Sequence, residues 1–145
     1  MSTFKDVSAS GNIDYNTMTK NGDTYPKIVW EHPSTGWYMT GDHSVPINLD
    51  EYPTGIILVW TRYSQDTSTA QNYGYNFYTF IKNANDGSGG ICVPLFSQTG
   101  TANGLKYVYI KQNEVLGHSQ NNQQLNTNIG NIDNRNWVLR RVVAF

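Results

Sequence analysis

From Tyr25 onward the chain is a succession of short β-branched and aromatic runs broken by Gly, Pro, Asn and Asp, the pattern of strands joined by turns. The runs predicted as strands are Lys27 to Trp30, Gly36 to Met39, Ser44 to Leu49, Gly55 to Tyr63, Asn76 to Lys82, Gly90 to Phe96, Lys106 to Lys111, Glu114 to Leu116 and Trp137 to Phe145. No segment supports a helix of useful length. The expected fold class is all-β: an antiparallel β-sandwich or flattened barrel with long polar loops.

Two runs say where they lie in the sheet. Gly55 to Tyr63 is apolar on both parities until Thr61, so its first half is expected to be central and covered on both faces. In Trp137 to Phe145, strict alternation places Trp137, Leu139, Arg141, Val143 and Phe145 on one face and Val138, Arg140, Val142 and Ala144 on the other. So apolar a C-terminal run is expected to be part of the sheet rather than a tail.

Residues 1–24 are polar, without sustained periodicity, and end at the turn signal Asn21-Gly22-Asp23. They read as a linker or loose lead-in, leaving 25–145 as one β domain. Three loops stand out: the long polar insertion between Gly117 and Asn136, the stretch Ser64 to Tyr75, and the Gly-rich turn from Asn83 to Gly90. A loop as long as the first, inside a compact domain, is usually functional or disordered.

Composition narrows the function. Only 14% of residues are charged and the net charge is -1, so no basic field exists to drive phosphate-backbone binding, and nucleic acid is not an expected partner. The N-terminus has no hydrophobic signal core, and no apolar run approaches the ~20 residues of a membrane span, so no membrane insertion is expected. Cys92 is the single cysteine, which excludes an intramolecular disulfide. Its flanks read as a strand, with Cys92 as a small buried residue.

Catalytic signatures are missing. No nucleophile elbow, P-loop, dinucleotide fingerprint or zinc-protease motif occurs, and neither a cofactor nor a metal is expected. His32, His43 and His118 match no ligand spacing and read as exposed turn residues, while Asn85 to Gly89 reads as a plain turn rather than a calcium loop. The informative feature is aromatic. Rings beside amide-rich loops suit a saccharide, the ring face covering the apolar C–H face of a pyranose and the amides pairing with hydroxyls. Trp30, Trp60 and Trp137 lie in apolar strands and are expected in the core. Trp37, Tyr73, Tyr75, Asn76, His118, Asn121 and Asn122 flank or occupy polar turns and are the candidate saccharide-binding residues.

The succession Trp37-Tyr38-Met39, Gly55 to Tyr63, Phe80-Ile81-Lys82, Lys106 to Ile110, Gly117-His118 with Asn121, and Asn134 with Trp137 to Arg141 resembles a C-terminal domain of tail, baseplate and receptor-binding proteins from phages and prophages of Gram-positive bacteria. The resemblance covers roughly Trp30 to Phe145. It implies a virion component at the tail tip or baseplate, commonly a homotrimer, made in the host cytoplasm. It also implies adhesion to host cell-surface polysaccharide or teichoic acid, with other virion tail proteins as partners. It implies no catalytic residues. The expected function is thus host adhesion. The alternatives are a structural virion domain with protein partners alone and, third, a polysaccharide-degrading enzyme carrying two carboxyl groups beside a cleft.

Overall fold

The structure is a computed structural model that describes residues 18–33, 35–36, 39–41, 43–84, 90–98, 100, 102–127 and 130–145. Its strands in chain order are β1 (Met18–Lys20), β2 (Asp23–Tyr25), β3 (Lys27–Glu31), β4 (Ser44–Pro46), β5 (Gly55–Ser64), β6 (Thr69–Ala70), β7 (Asn76–Ile81), β8 (Ile91–Leu95), β9 (Gly104–Ile110), β10 (Glu114–Gly117), β11 (Gln124–Thr127), β12 (Gly130–Asp133) and β13 (Trp137–Ala144). Every pairing between these strands is antiparallel. The only helical pieces among the described residues are single 3-10 turns at Leu49–Glu51, Ser119–Asn122 and Asn134–Asn136. The all-β expectation holds.

Two larger sheets enclose the core, and β1-β2 and β11-β12 form two smaller two-stranded ones. Of the larger pair, one runs β3-β13-β5, with β7 and β6 pairing successive parts of the far edge of β5; the other runs β4-β10-β9-β8. Their inner faces share one core, in which Ile56, Leu58 and Trp60 of β5 and Leu139 and Val142 of β13 face Val45, Val93, Leu95, Val108 and Val115 of the second sheet. Burial of these aliphatic and aromatic groups is the main stabilising term. Trp60 and Trp137 are fully buried and Trp30 packs against the core, as expected.

β5 is central, flanked by β13 and β7, and its burial on both parities agrees with its doubly apolar sequence. The C-terminal run lies between β3 and β5, and the Phe145 carbonyl accepts from the N–H groups of Thr54 (2.7 Å) and Gly55 (3.0 Å). Its alternation, however, is broken. The register with β5 shifts between Leu139 and Arg141, so Arg140 is an extra residue, and Val142 and Ala144 join Trp137 and Leu139 in the core. A bulge changes parity once, and two adjacent arginines in an apolar run disguise it.

Other departures follow from local geometry. Gly36 and Met39 are bends rather than strand, and the run from Ser44 keeps strand pairing only to Pro46 before the 3-10 turn. Cys92 lies on β8 as expected but is exposed, because Val93 and Leu95 take the inward positions. The histidines are less exposed than expected: His32 is buried, with Nε2 2.7 Å from the Gly36 carbonyl, and His43 and His118 are half-buried.

The end of the polar lead-in forms the β1-β2 hairpin, turning at Asn21 (φ 53°) and Gly22 (φ 86°). The described part of the long polar insertion carries two 3-10 turns and the antiparallel pair β11 and β12. Asn85 to Gly89, Trp37 and Tyr38 lie outside the described residues.

Candidate functional site

Among the described residues the most exposed large rings lie at or just before the start of β7 and just after the end of β8. Tyr73 is 60%, Tyr75 44%, Phe77 68% and Phe96 64% exposed. Strand parity explains two of these. Phe80 points into the core, so Phe77, three residues earlier on β7, points out. Val93 and Leu95 point in, so Phe96, directly after β8, points out.

Asn76 ties the two strand ends together. Its Oδ1 accepts from the Phe96 N–H (3.0 Å), and its Nδ2 donates to the Phe96 carbonyl (3.1 Å) and to the Gly74 carbonyl (3.1 Å). This carboxamide spends its hydrogen bonds on backbone, so Asn76 positions the rings instead of presenting its amide to a ligand. The Tyr75 and Phe77 rings are nearly parallel, 16° apart, with centroids 6.4 Å from each other.

The preceding turn rests on a buried support. The Tyr73 carbonyl accepts from the Arg62 N–H at 3.3 Å, and Gly74 (φ 69°) lies so close to Arg62 that a Cβ there would stand 2.7 Å from its Cγ. The Arg62 guanidinium lies over the Trp137 ring, 5.0 Å from the centroid. Arg62 Nη1 and Trp137 Nε1 both donate to the Ala102 carbonyl at 2.9 Å. The Tyr73–Gly74 turn thus rests on the Arg62–Trp137 pair.

The second group of candidates sits elsewhere. His118 caps the 3-10 turn Ser119–Asn122, its Nδ1 accepting from the Gln120 N–H at 3.1 Å, and its ring packs edge-on against Tyr107 at 5.0 Å and lies tilted against Tyr109 at 6.1 Å. Asn122 is exposed beside it. Asn121 is fully buried, with both polar atoms of its amide bonded to the Tyr107 backbone. It is a scaffold residue and offers a ligand nothing. No hydrogen bond or ring contact joins His118 and Asn122 to Tyr73 and Tyr75 among the described residues. Trp37 lies outside them.

Tyr73 and Tyr75, both candidates from the sequence, are exposed, and so are Phe77 and Phe96, which were not among the candidates. The usable signal was the outward parity of each next to inward Phe80 and Leu95. Among the described residues no three His, Cys, Asp or Glu side chains come together to hold a metal ion. The near-parallel Tyr75 and Phe77 rings have the chemistry to cover apolar C–H groups, and the Tyr73 and Tyr75 hydroxyls the chemistry to pair with polar ones. No family model, curated protein or solved structure matches the chain.

Proposed function

We propose that this domain is a non-catalytic receptor-binding module of a phage tail tip or baseplate, which adheres to host cell-surface saccharide through the ring edge Tyr73, Tyr75, Phe77 and Phe96. The observation that carries the saccharide reading is the exposed, near-parallel Tyr75–Phe77 pair, held in place by Asn76. The virion placement rests on the sequence resemblance. Large exposed rings raise the free energy of an isolated domain in water, and a ligand that covers them recovers that cost.

A single shallow site of this kind binds in the range of about 1 mM, roughly 4 kcal/mol, so useful adhesion needs several copies acting together. A homotrimer supplies them. The test is binding of the domain, artificially clustered, to Gram-positive cells and to a glycan array, beside a Tyr75→Ala, Phe77→Ala double variant that melts with the wild type. Loss of signal in the variant supports the reading; equal signal, or no wild-type signal at all, sinks it.

A structural virion domain is the second reading, favoured by a different observation. On the outer face of the first sheet Ile28, 49% exposed, registers with Val143, and Val143 with Ile57, while Ile81 at the far edge is 50% exposed. An apolar row of this kind suits a protein partner better than a sugar.

A further inference from the structure

At one end of the sandwich, Leu49, Phe80 and Ile110 floor an open groove of about 380 Å³, and Asp50, Lys82 and Lys111 stand on its rim. The backbone around it is firmly held: the Leu49 N–H donates to the Gln112 carbonyl (3.0 Å) and the Lys82 N–H to the Thr54 carbonyl (2.8 Å). The groove is separate from the aromatic edge and includes none of its residues.

Two ammonium groups converge beside it, that of Lys82, which lines the groove, and that of Lys20, which adjoins Lys82. Lys82 Nζ donates to the carbonyls of Leu49 (3.0 Å) and Tyr52 (2.6 Å), while Lys20 Nζ donates to the carbonyls of Asp50 and, at 3.1 Å, Tyr52. Both cations therefore meet at the Tyr52 oxygen. Each ammonium has three N–H donors and uses two, which leaves one on each. Desolvation, and then the adjacent Lys20 charge, hold the Lys82 ammonium below the usual lysine range. Among the described residues the carboxylate acting on Lys82 is that of Asp50, whose attraction is smaller than the desolvation and smaller than the repulsion from the Lys20 charge. Lys111 is already paired with Glu114 at 2.6 Å.

We infer that this groove binds a phosphate monoester, its head between Lys82 and Lys20 and its organic stem over Leu49, Phe80 and Ile110. A doubly charged head relieves the repulsion between two neighbouring cations, as a singly charged group cannot fully do, and accepts both remaining N–H donors. The apolar floor favours a stem with a flat or hydrocarbon surface over free phosphate. The Asp50 carboxylate opposes the head and sets a ceiling on affinity.

The test titrates inorganic phosphate, phenyl phosphate and neutral benzyl alcohol into the isotopically labelled chain and follows backbone amide resonances. Phenyl phosphate is expected to give saturable shifts at Leu49 to Tyr52, Lys82 and Ile110, tighter than inorganic phosphate and weakened by salt, with the Phe77 resonance unmoved. Lys82→Gln should weaken binding about tenfold or more, Lys82→Arg should retain most of it, and Asp50→Asn should strengthen it several-fold. Shifts that do not saturate, or that match benzyl alcohol, overturn the proposal. So does unchanged affinity in a folded Lys82→Gln variant. Should that variant fail to fold, Asp50→Asn decides: unchanged or weaker binding refutes the site. The unmoved Phe77 signal keeps this outcome independent of the saccharide reading.

Discussion

The carboxamide of Asn121 grips the backbone of Tyr107 at two points: its Oδ1 accepts from the Tyr107 N–H at 2.7 Å and its Nδ2 donates to the Tyr107 carbonyl at 2.9 Å. A side chain here supplies what a neighbouring strand would supply to β9. Asn134 does similar work one step along, its Oδ1 accepting from the Leu105 N–H at 2.6 Å and its Nδ2 donating to the Gln120 carbonyl at 3.1 Å. Both asparagines are fully buried. The polar insertion is thereby sewn onto the second sheet.

Removing that grip leaves a backbone N–H and a carbonyl without partners in a dry environment. Asn121→Ala is expected to lower unfolding free energy by about 2–4 kcal/mol. Asn121→Asp should cost at least as much, since it loses the donor and buries a charge. Urea denaturation followed by tryptophan fluorescence measures both; a change under about 0.5 kcal/mol would show that the clamp contributes no net stability.

At the exposed edge the expectation is reversed. Tyr75→Ala and Phe77→Ala each forfeit a ring contact worth about 0.5–1.5 kcal/mol and little buried area, so melting should move only a few degrees. Binding to clustered saccharide should instead fall about tenfold or more per ring. A variant that loses stability and binding in parallel would assign these rings to packing.

Lys106 gives the fold a pH dependence. It lies on the inner face of β9, fully buried, its Nζ 3.2 Å from the Asn121 carbonyl, and burial pushes its pKa down to about 7, with Asp133 pulling weakly the other way. The unfolded chain holds this proton up to about pH 10.5, so between pH 7 and 10.5 it binds more protons than the folded one. Stability therefore rises with pH across that window, and below pH 7 the full cost of burying the charge applies. The unfolding free energy of the wild type, relative to Lys106→Met, should grow by roughly 2–4 kcal/mol between pH 6.5 and 9.5. A difference that stays flat would mean the amine titrates at its ordinary value.

Close approach at Gly104 provides a test of packing. A Cβ there would stand 2.5 Å from Cδ1 of the buried Trp137, whose Nε1 is held at 2.9 Å by the Ala102 carbonyl. The indole cannot retreat without breaking that bond. Gly104→Ala is expected to cost about 1–3 kcal/mol in thermal or chemical denaturation, and an unchanged melting point would show that the loop carrying Ala102 yields.

Much of the strand architecture was legible because a half-buried strand writes its burial into alternate residues. Gly55 to Tyr63, Asn76 to Lys82 and Lys106 to Lys111 match β5, β7 and β9 to within two residues at each end. For the candidate residues, exposure was legible and side-chain partners were not. Tyr73 and Tyr75 are exposed as expected, whereas Asn76 and Asn121 are amides turned to backbone, and an asparagine's sequence neighbours do not reveal which backbone its side chain will meet.

The sequence by itself determined that the chain is all-β, that β5 is central, that the C-terminal run joins the sheet and that Trp60 and Trp137 are core, since each follows from local composition and period. Tertiary structure alone decided the parity shift at Arg140, the burial of Lys106, the meeting of Lys20 with Lys82, and the tie between Asn76 and the Phe96 backbone. Each depends on contacts between residues distant in the chain or on a single extra residue in one strand. Neither leaves a periodic trace, because the free energy that sets them resides in pairings across sheets and not in the preferences of neighbouring residues.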